Sequence, residues 1–121
     1  MQEASLERPA KHTPLLALAG VVHADVDTTF ATLAELVTPQ EGQVTLFLRD
    51  DDTRTLILQG GWWYRGEYRV LPDEQGSRVE HELINVAQTA HWAGAITGRS
   101  VIADAPAAFQ QLLTDLAARV E

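Results

Sequence analysis

The stretch Gly61–Ala87, GWWYRGEYRVLPDEQGSRVEHELINVA, constrains this chain more than any other, because it reads as two strand arms that align residue by residue. A connection at Asp73-Glu74-Gln75-Gly76, built around a turn, with Pro72 ending the first arm, sets the register. Val70 then faces Val79, Tyr68 faces His81, Gly66 faces Leu83 and Tyr64 faces Asn85. All lie on one side of the sheet, since side chains alternate along a strand. The other side gathers Arg65, Glu67, Arg69, Glu80 and Glu82, the composition of a solvated face. A slip of one residue would mix the apolar and charged sets, so the pattern itself selects the register.

The remaining segments organise around this hairpin. Met1–Thr13 is polar and is expected to be disordered or frayed, with one domain over residues 14–121. Leu15–His23 reads as a first strand. Asp25 offers a side-chain cap, and Val26, Phe30, Leu33 and Val37 at helical spacing predict a helix over Val26–Val37 that Pro39 and Gly42 bring to an end. Gln43–Arg49 and Arg54–Gln59 predict a second hairpin around Asp50–Thr53, with Val44, Leu46, Leu48, Leu56 and Leu58 on one face. Gly60-Gly61 reads as a turn or a sharp bend between strands. Gln88–Ala103 carries no clear period beyond a helical turn around Trp92. Asp104, with Pro106 just inside the start, opens a final helix. Its stripe of Phe109, Leu112, Leu113, Leu116, Ala117 and Val120 needs an apolar partner.

Composition narrows the function. Among 121 residues there are 17 acidic against 9 basic side chains, and the isoelectric point is about 4.8. Phosphate-backbone binding draws its affinity from Lys and Arg, so no nucleic-acid partner is expected. Cysteine is absent, which removes disulfides, thiolate metal sites and cysteine nucleophiles and matches cytoplasmic usage. Arg8 and Lys11 ahead of the apolar Leu15–Val22 resemble a short signal peptide, but that run is too short to span a bilayer and passes straight into a helix start. A cytoplasmic protein without a membrane span is the expectation. His12, His23, His81 and His91 lack metal-site spacing, and Asp50-Asp51-Asp52 lacks the alternating ligands, central glycine and closing glutamate of a calcium loop. Gly60-Gly61 and Gly94 with Gly98 lack phosphate-loop spacing. Neither metal nor cofactor is expected.

Strand, helix, antiparallel strands and long closing helix is an α+β order. In three pieces, VVHADVDTTFATLAEL, GEYRVLPDEQGSRVEHELINV and AFQQLLTDLAARVE, the chain resembles the START/Bet v 1-like superfamily, and within it the small bacterial polyketide cyclase/dehydrase-like (SRPBCC) proteins. It is shorter than is usual there, with fewer strands. The resemblance implies a helix-grip fold: a curved antiparallel sheet wrapped around the C-terminal helix, with an apolar cavity between them. Members bind lipids, sterols, polyketides, quinones or plant hormones, and some are cyclases or hydrolases, so the resemblance implies a small hydrophobic partner without specifying a reaction.

On the hairpin's apolar face, Tyr64, Tyr68, His81 and Asn85 bring polar tips together, and Phe109 of the last helix is placed to cover them. That is the pattern of a pocket with a few orienting groups, or of a core completed by mutual hydrogen bonds. Adjacent tryptophans on a strand point to opposite faces. With Trp62 at the cavity mouth, Trp63 faces outward, sharing that side with Ile84, Val86, Phe47 and Ile57, an apolar patch through which a homodimer is expected. Three functions follow from different classes. One is binding of a small apolar, ring-bearing ligand by Trp62, Tyr64, Tyr68, His81, Asn85 and Phe109. Another is a cyclase or dehydratase using His81 with a tyrosine as acid and base. The third is a protein-interaction module whose cavity is filled by side chains.

Overall fold

A computed structural model of the chain describes residues 4–39 and 46–121. Strand β1 (Thr13–Val22) leads through Asp25 into helix α1 (Val26–Val37), whose bounds are those predicted. The Asp25 carboxylate accepts from the Thr28 N–H at 3.0 Å, satisfying one of the free donors of the first turn. The same bond holds the Asp25 carboxyl below its ordinary value.

Strands β2 (Leu46–Asp50) and β3 (Thr55–Gly60) form a hairpin in which the Asp50 carboxylate accepts from the Thr53 N–H at 3.0 Å. The first part of the expected strand, Gln43–Thr45 with Val44, lies outside the described residues. The expected sharing of a face by Leu46, Leu48, Leu56 and Leu58 is not formed. Phe47 stands opposite Leu58 and Arg49 opposite Leu56, while Leu48 stands opposite Ile57. Residues directly opposite in an antiparallel pair share a face, so Leu56 and Leu58 lie with Phe47, and Leu46 and Leu48 lie with Ile57. Gly60 then pairs with Tyr64, and Gly61, at φ 60, makes the tight turn into the next strand.

Strands β4 (Tyr64–Asp73) and β5 (Gly76–Asn85) reproduce the expected register, with Tyr68 opposite His81, Gly66 opposite Leu83 and Tyr64 opposite Asn85. The connection is tighter than expected: Asp73 pairs with Gly76, at φ 136, and Pro72 sits inside β4 opposite Ser77 instead of ending the arm. A proline is tolerated there because β3 pairs with β4 only as far as Thr55 and Arg69, so no neighbouring strand needs its missing N–H.

Helices α2 (His91–Thr97) and α3 (Arg99–Val120) complete the order. Helix α3 therefore starts well before Asp104, and Pro106 lies in its interior rather than at its first position. The ring faces solvent, where water can serve the Ile102 carbonyl that a proline cannot.

All strand pairs are antiparallel, in the order β1-β5-β4-β3-β2, and α1 and α3 pack on one face of this sheet. Phe30 and Leu33 of α1 and Phe109 and Leu116 of α3 meet Val22, Leu56, Val70 and Val79 there in a single core. The result is an α+β protein whose C-terminal helix lies on a five-stranded antiparallel sheet.

The opposite face departs from expectation. Arg65 is only 1% exposed, and Glu67, Ile57, Ile84 and Val86 are also buried. Ala4–Arg8, within the segment expected to be frayed, runs against this side. The Ala4 N–H donates to the Phe47 carbonyl at 3.1 Å, Arg65 donates to the Ser5 and Leu6 carbonyls, and Arg8 grips Glu67 at 2.8 and 3.0 Å and reaches Glu82 at 3.0 Å. A face rich in paired charge is thus partly covered rather than solvated. Nor do Trp63, Ile84, Val86, Phe47 and Ile57 form the expected exposed outer patch. Phe47 packs on the core of the other face. Trp63 is 9% exposed, and its ring lies where a side chain on Gly98 would stand, a Cβ there being 2.4 Å from the ring. Trp63 is in a turn rather than a strand, so the alternation rule that placed it outward does not apply to it.

Candidate functional site

Between α3, the end of α1 and the sheet lies a cavity of about 520 Å³. Tyr64 and Tyr68 of β4, His81 of β5 and Phe109 of α3 all line it. Period-two alternation on the paired strands puts the first three on one side, and the apolar stripe of α3 lowers Phe109 onto them. His81 lies between two rings: Tyr68 stacks on it at 4.0 Å between centroids and 13° between planes, and Phe109 at 5.7 Å and 20°. The Tyr64 hydroxyl lies across Gly66, where an added Cβ would come within 2.6 Å of the oxygen. Glycine at this position leaves the space in which the hydroxyl sits.

The hydrogen bonding assigns roles. His81 Nδ1 is 3.0 Å from the Glu67 carbonyl oxygen. A carbonyl only accepts, so Nδ1 carries the proton and Nε2 presents a lone pair. Burial lowers the His81 pKa, and the bond to the Glu67 carbonyl opposes this without reversing it, so the ring is neutral near pH 7. Burial pushes both tyrosine hydroxyls up, the neighbouring Tyr64 adding to the rise at Tyr68, and both stay protonated donors. Every fully buried side-chain nitrogen or oxygen among the described residues has a partner. Among those residues the Tyr64 and Tyr68 hydroxyls and His81 Nε2 make no hydrogen bond, and all three side chains line the cavity.

The other two expected site residues lie elsewhere. Trp62 is 44% exposed in the turn after Gly61 and does not line the cavity. Asn85 is buried on the expected face but is consumed by structure: its amide donates to the His91 carbonyl at 2.7 Å and accepts from the Ala87 N–H at 3.0 Å, tying α2 to the end of β5. A Cβ on Gly94 would strike this amide at 2.4 Å.

Sequence reasoning missed Leu36 and Val37 at the end of α1, and Val101, Asp104, Ala105 and Ala108 on α3. The signal was there. Val101, Ala105, Ala108, Phe109 and Leu112 fall at i, i+4, i+7, i+8 and i+11, but reading Pro106 as a helix start cut the stripe in two. Among the described residues no group of three or more His, Asp or Glu gathers as a metal site, and no helix is long and apolar enough to cross a membrane.

Fold and site together define an α+β protein with a partly apolar cavity between an antiparallel sheet and its C-terminal helix. No protein-family model matches the chain, and no curated protein does.

Proposed function

We propose that the protein binds a small apolar, ring-bearing molecule in the cavity between the sheet and α3, in the manner of a helix-grip protein of the START/Bet v 1-like kind. The observation that carries this is a cavity of about 520 Å³ whose walls are mainly apolar but include three polar tips that make no hydrogen bond among the described residues. Ligand sites have this composition, with volumes of roughly 300–1,000 Å³. The volume favours a ligand cavity over one filled by side chains. Helix α3 lying on a five-stranded antiparallel sheet is consistent with the helix-grip architecture.

The test uses a neutral probe, N-phenyl-1-naphthylamine, whose emission rises in apolar surroundings. It should bind at one site per chain. Ala108→Trp, a substitution at an exposed lining position, should weaken it at least tenfold, about 1.4 kcal/mol, with the fold intact by circular dichroism. Equal binding by the wild type and Ala108→Trp would refute the site.

A second reading rests on a neutral His81 with an available Nε2 beside two protonated tyrosines. Such a histidine could accept a proton while the tyrosines stabilise an enolate, the chemistry of a cyclase or dehydratase. Loss of turnover of an aromatic polyketide mimic in His81→Phe, with N-phenyl-1-naphthylamine binding retained, would separate this reading from simple binding.

A further inference from the structure

Resting on the binding reading above, we infer that the cavity selects by charge and by donor: it takes neutral ring-bearing molecules that present a hydroxyl to His81, and rejects the corresponding carboxylates. Two independent features of the lining carry this. The first is charge. Among the described residues no Lys or Arg lines the cavity, and the one charged side chain that does is the exposed Asp104. The chain as a whole carries a formal net charge of −8. A carboxylate entering here would pass one fixed negative charge and lose its hydration with no cation to replace it, the costliest kind of burial.

The second feature is the polarity at His81. With Nδ1 committed to the Glu67 carbonyl, His81 Nε2 can only accept. A ligand carbonyl or carboxylate would set lone pair against lone pair, while a hydrocarbon would leave Nε2 unpaired. A hydroxyl satisfies both sides at once, donating to Nε2 and accepting from a tyrosine hydroxyl of the same cavity. Groups of this kind discriminate strongly, because the analogue lacking the hydroxyl strands a polar atom. The aromatic wall of Tyr68, His81 and Phe109 favours a ring as the ligand's body.

The experiment compares 2-naphthol, naphthalene and 2-naphthoate near pH 7 by competition with N-phenyl-1-naphthylamine. Expected is 2-naphthol tighter than naphthalene by about tenfold, and 2-naphthoate weaker than 2-naphthol by at least tenfold. His81→Phe, which keeps a ring in the stack, should erase the preference for 2-naphthol over naphthalene. Asp104→Lys, at an exposed position, should raise 2-naphthoate affinity severalfold relative to that of 2-naphthol. That second variant keeps the test decisive if His81→Phe fails to fold. Equal affinity for 2-naphthoate and 2-naphthol would overturn the charge rule, and equal affinity for naphthalene and 2-naphthol would overturn the hydroxyl rule. Either outcome leaves the cavity reading standing. Failure of the neutral probe and all three naphthalenes to bind would overturn the cavity reading itself.

Discussion

Single side chains set the shape of the cavity and its response to pH. Gly66 leaves the space that the Tyr64 hydroxyl occupies. Gly66→Ala must therefore push that ring aside, and an overpacking cost of about 1–3 kcal/mol is expected in urea denaturation, with probe binding weakened. His81 has a folded pKa below its ordinary value of 6.5. Below that value the unfolded chain takes up a proton more readily than the folded one, so stability should rise with pH up to about 6.5 and level off above it. His81→Phe should flatten this rise. A wild-type slope unchanged by the substitution would assign the pH dependence to other groups. Glu67 adds an acid-side contribution of the same sign. Burial raises its carboxyl, but the hydrogen bonds from Arg8 and Arg65 outweigh this and hold it below the ordinary 4.5, so its stabilisation is lost as pH falls below that value.

At the scale of elements, α3 decides the architecture. Leu116 is fully buried against the sheet. Leu116→Ala should cost about 2–5 kcal/mol, the range for emptied leucine sites, and a cost near that of a surface change would misplace the helix. Pro106 offers a sharper test. Inside a helix, proline forfeits a backbone hydrogen bond, a cost of about 3 kcal/mol relative to alanine. Pro106→Ala should therefore stabilise the protein, recovering part of that amount as a rise in urea midpoint. At a first helical position the same change would be neutral or unfavourable, so a loss of stability would restore the shorter helix predicted from the sequence. The α2–α3 junction is equally specific. Gly98 admits the Trp63 ring, and Asn85 bonded to the His91 carbonyl anchors α2.

At the scale of the whole molecule, the sheet has helices on one face and the Ala4–Arg8 segment against the other. Arg65 makes this possible. Its guanidinium donates to Glu67, Gln59 and the Ser5 and Leu6 carbonyls, so a charge that is almost wholly buried is fully paired. Glu67 joins the two faces, its carboxylate holding Arg8 and Arg65 while its carbonyl fixes the tautomer of His81. Deleting residues 1–8 should uncover Arg65, remove the Arg8 grip and lower stability by about 1–3 kcal/mol, the range for hydrogen bonds to charged groups. An unchanged urea midpoint would show that the segment contributes nothing to holding the sheet.

What the sequence determined by itself was local and periodic. The register of the Tyr64–Asn85 hairpin, the α1 bounds with their Asp25 cap and the apolar stripe of the last helix all follow from spacings within a few residues of one another, and the structure repeats them. Placing Tyr64, Tyr68 and His81 on one face followed directly from that register. Tertiary packing decided what spacing cannot encode. A turn carried Trp63 under the helices although strand alternation points it outward. A proline tolerated on a solvent-facing surface let α3 run on toward α2 and carry Val101 and Asp104 to the cavity. A polar N-terminal segment met a charged sheet face across some sixty residues of sequence and was held there by paired charges. Periodicity records which side of an element is apolar. It holds no information on which distant segment will cover the other side, because that depends on hydrogen bonds and ion pairs formed only once the chain has closed on itself.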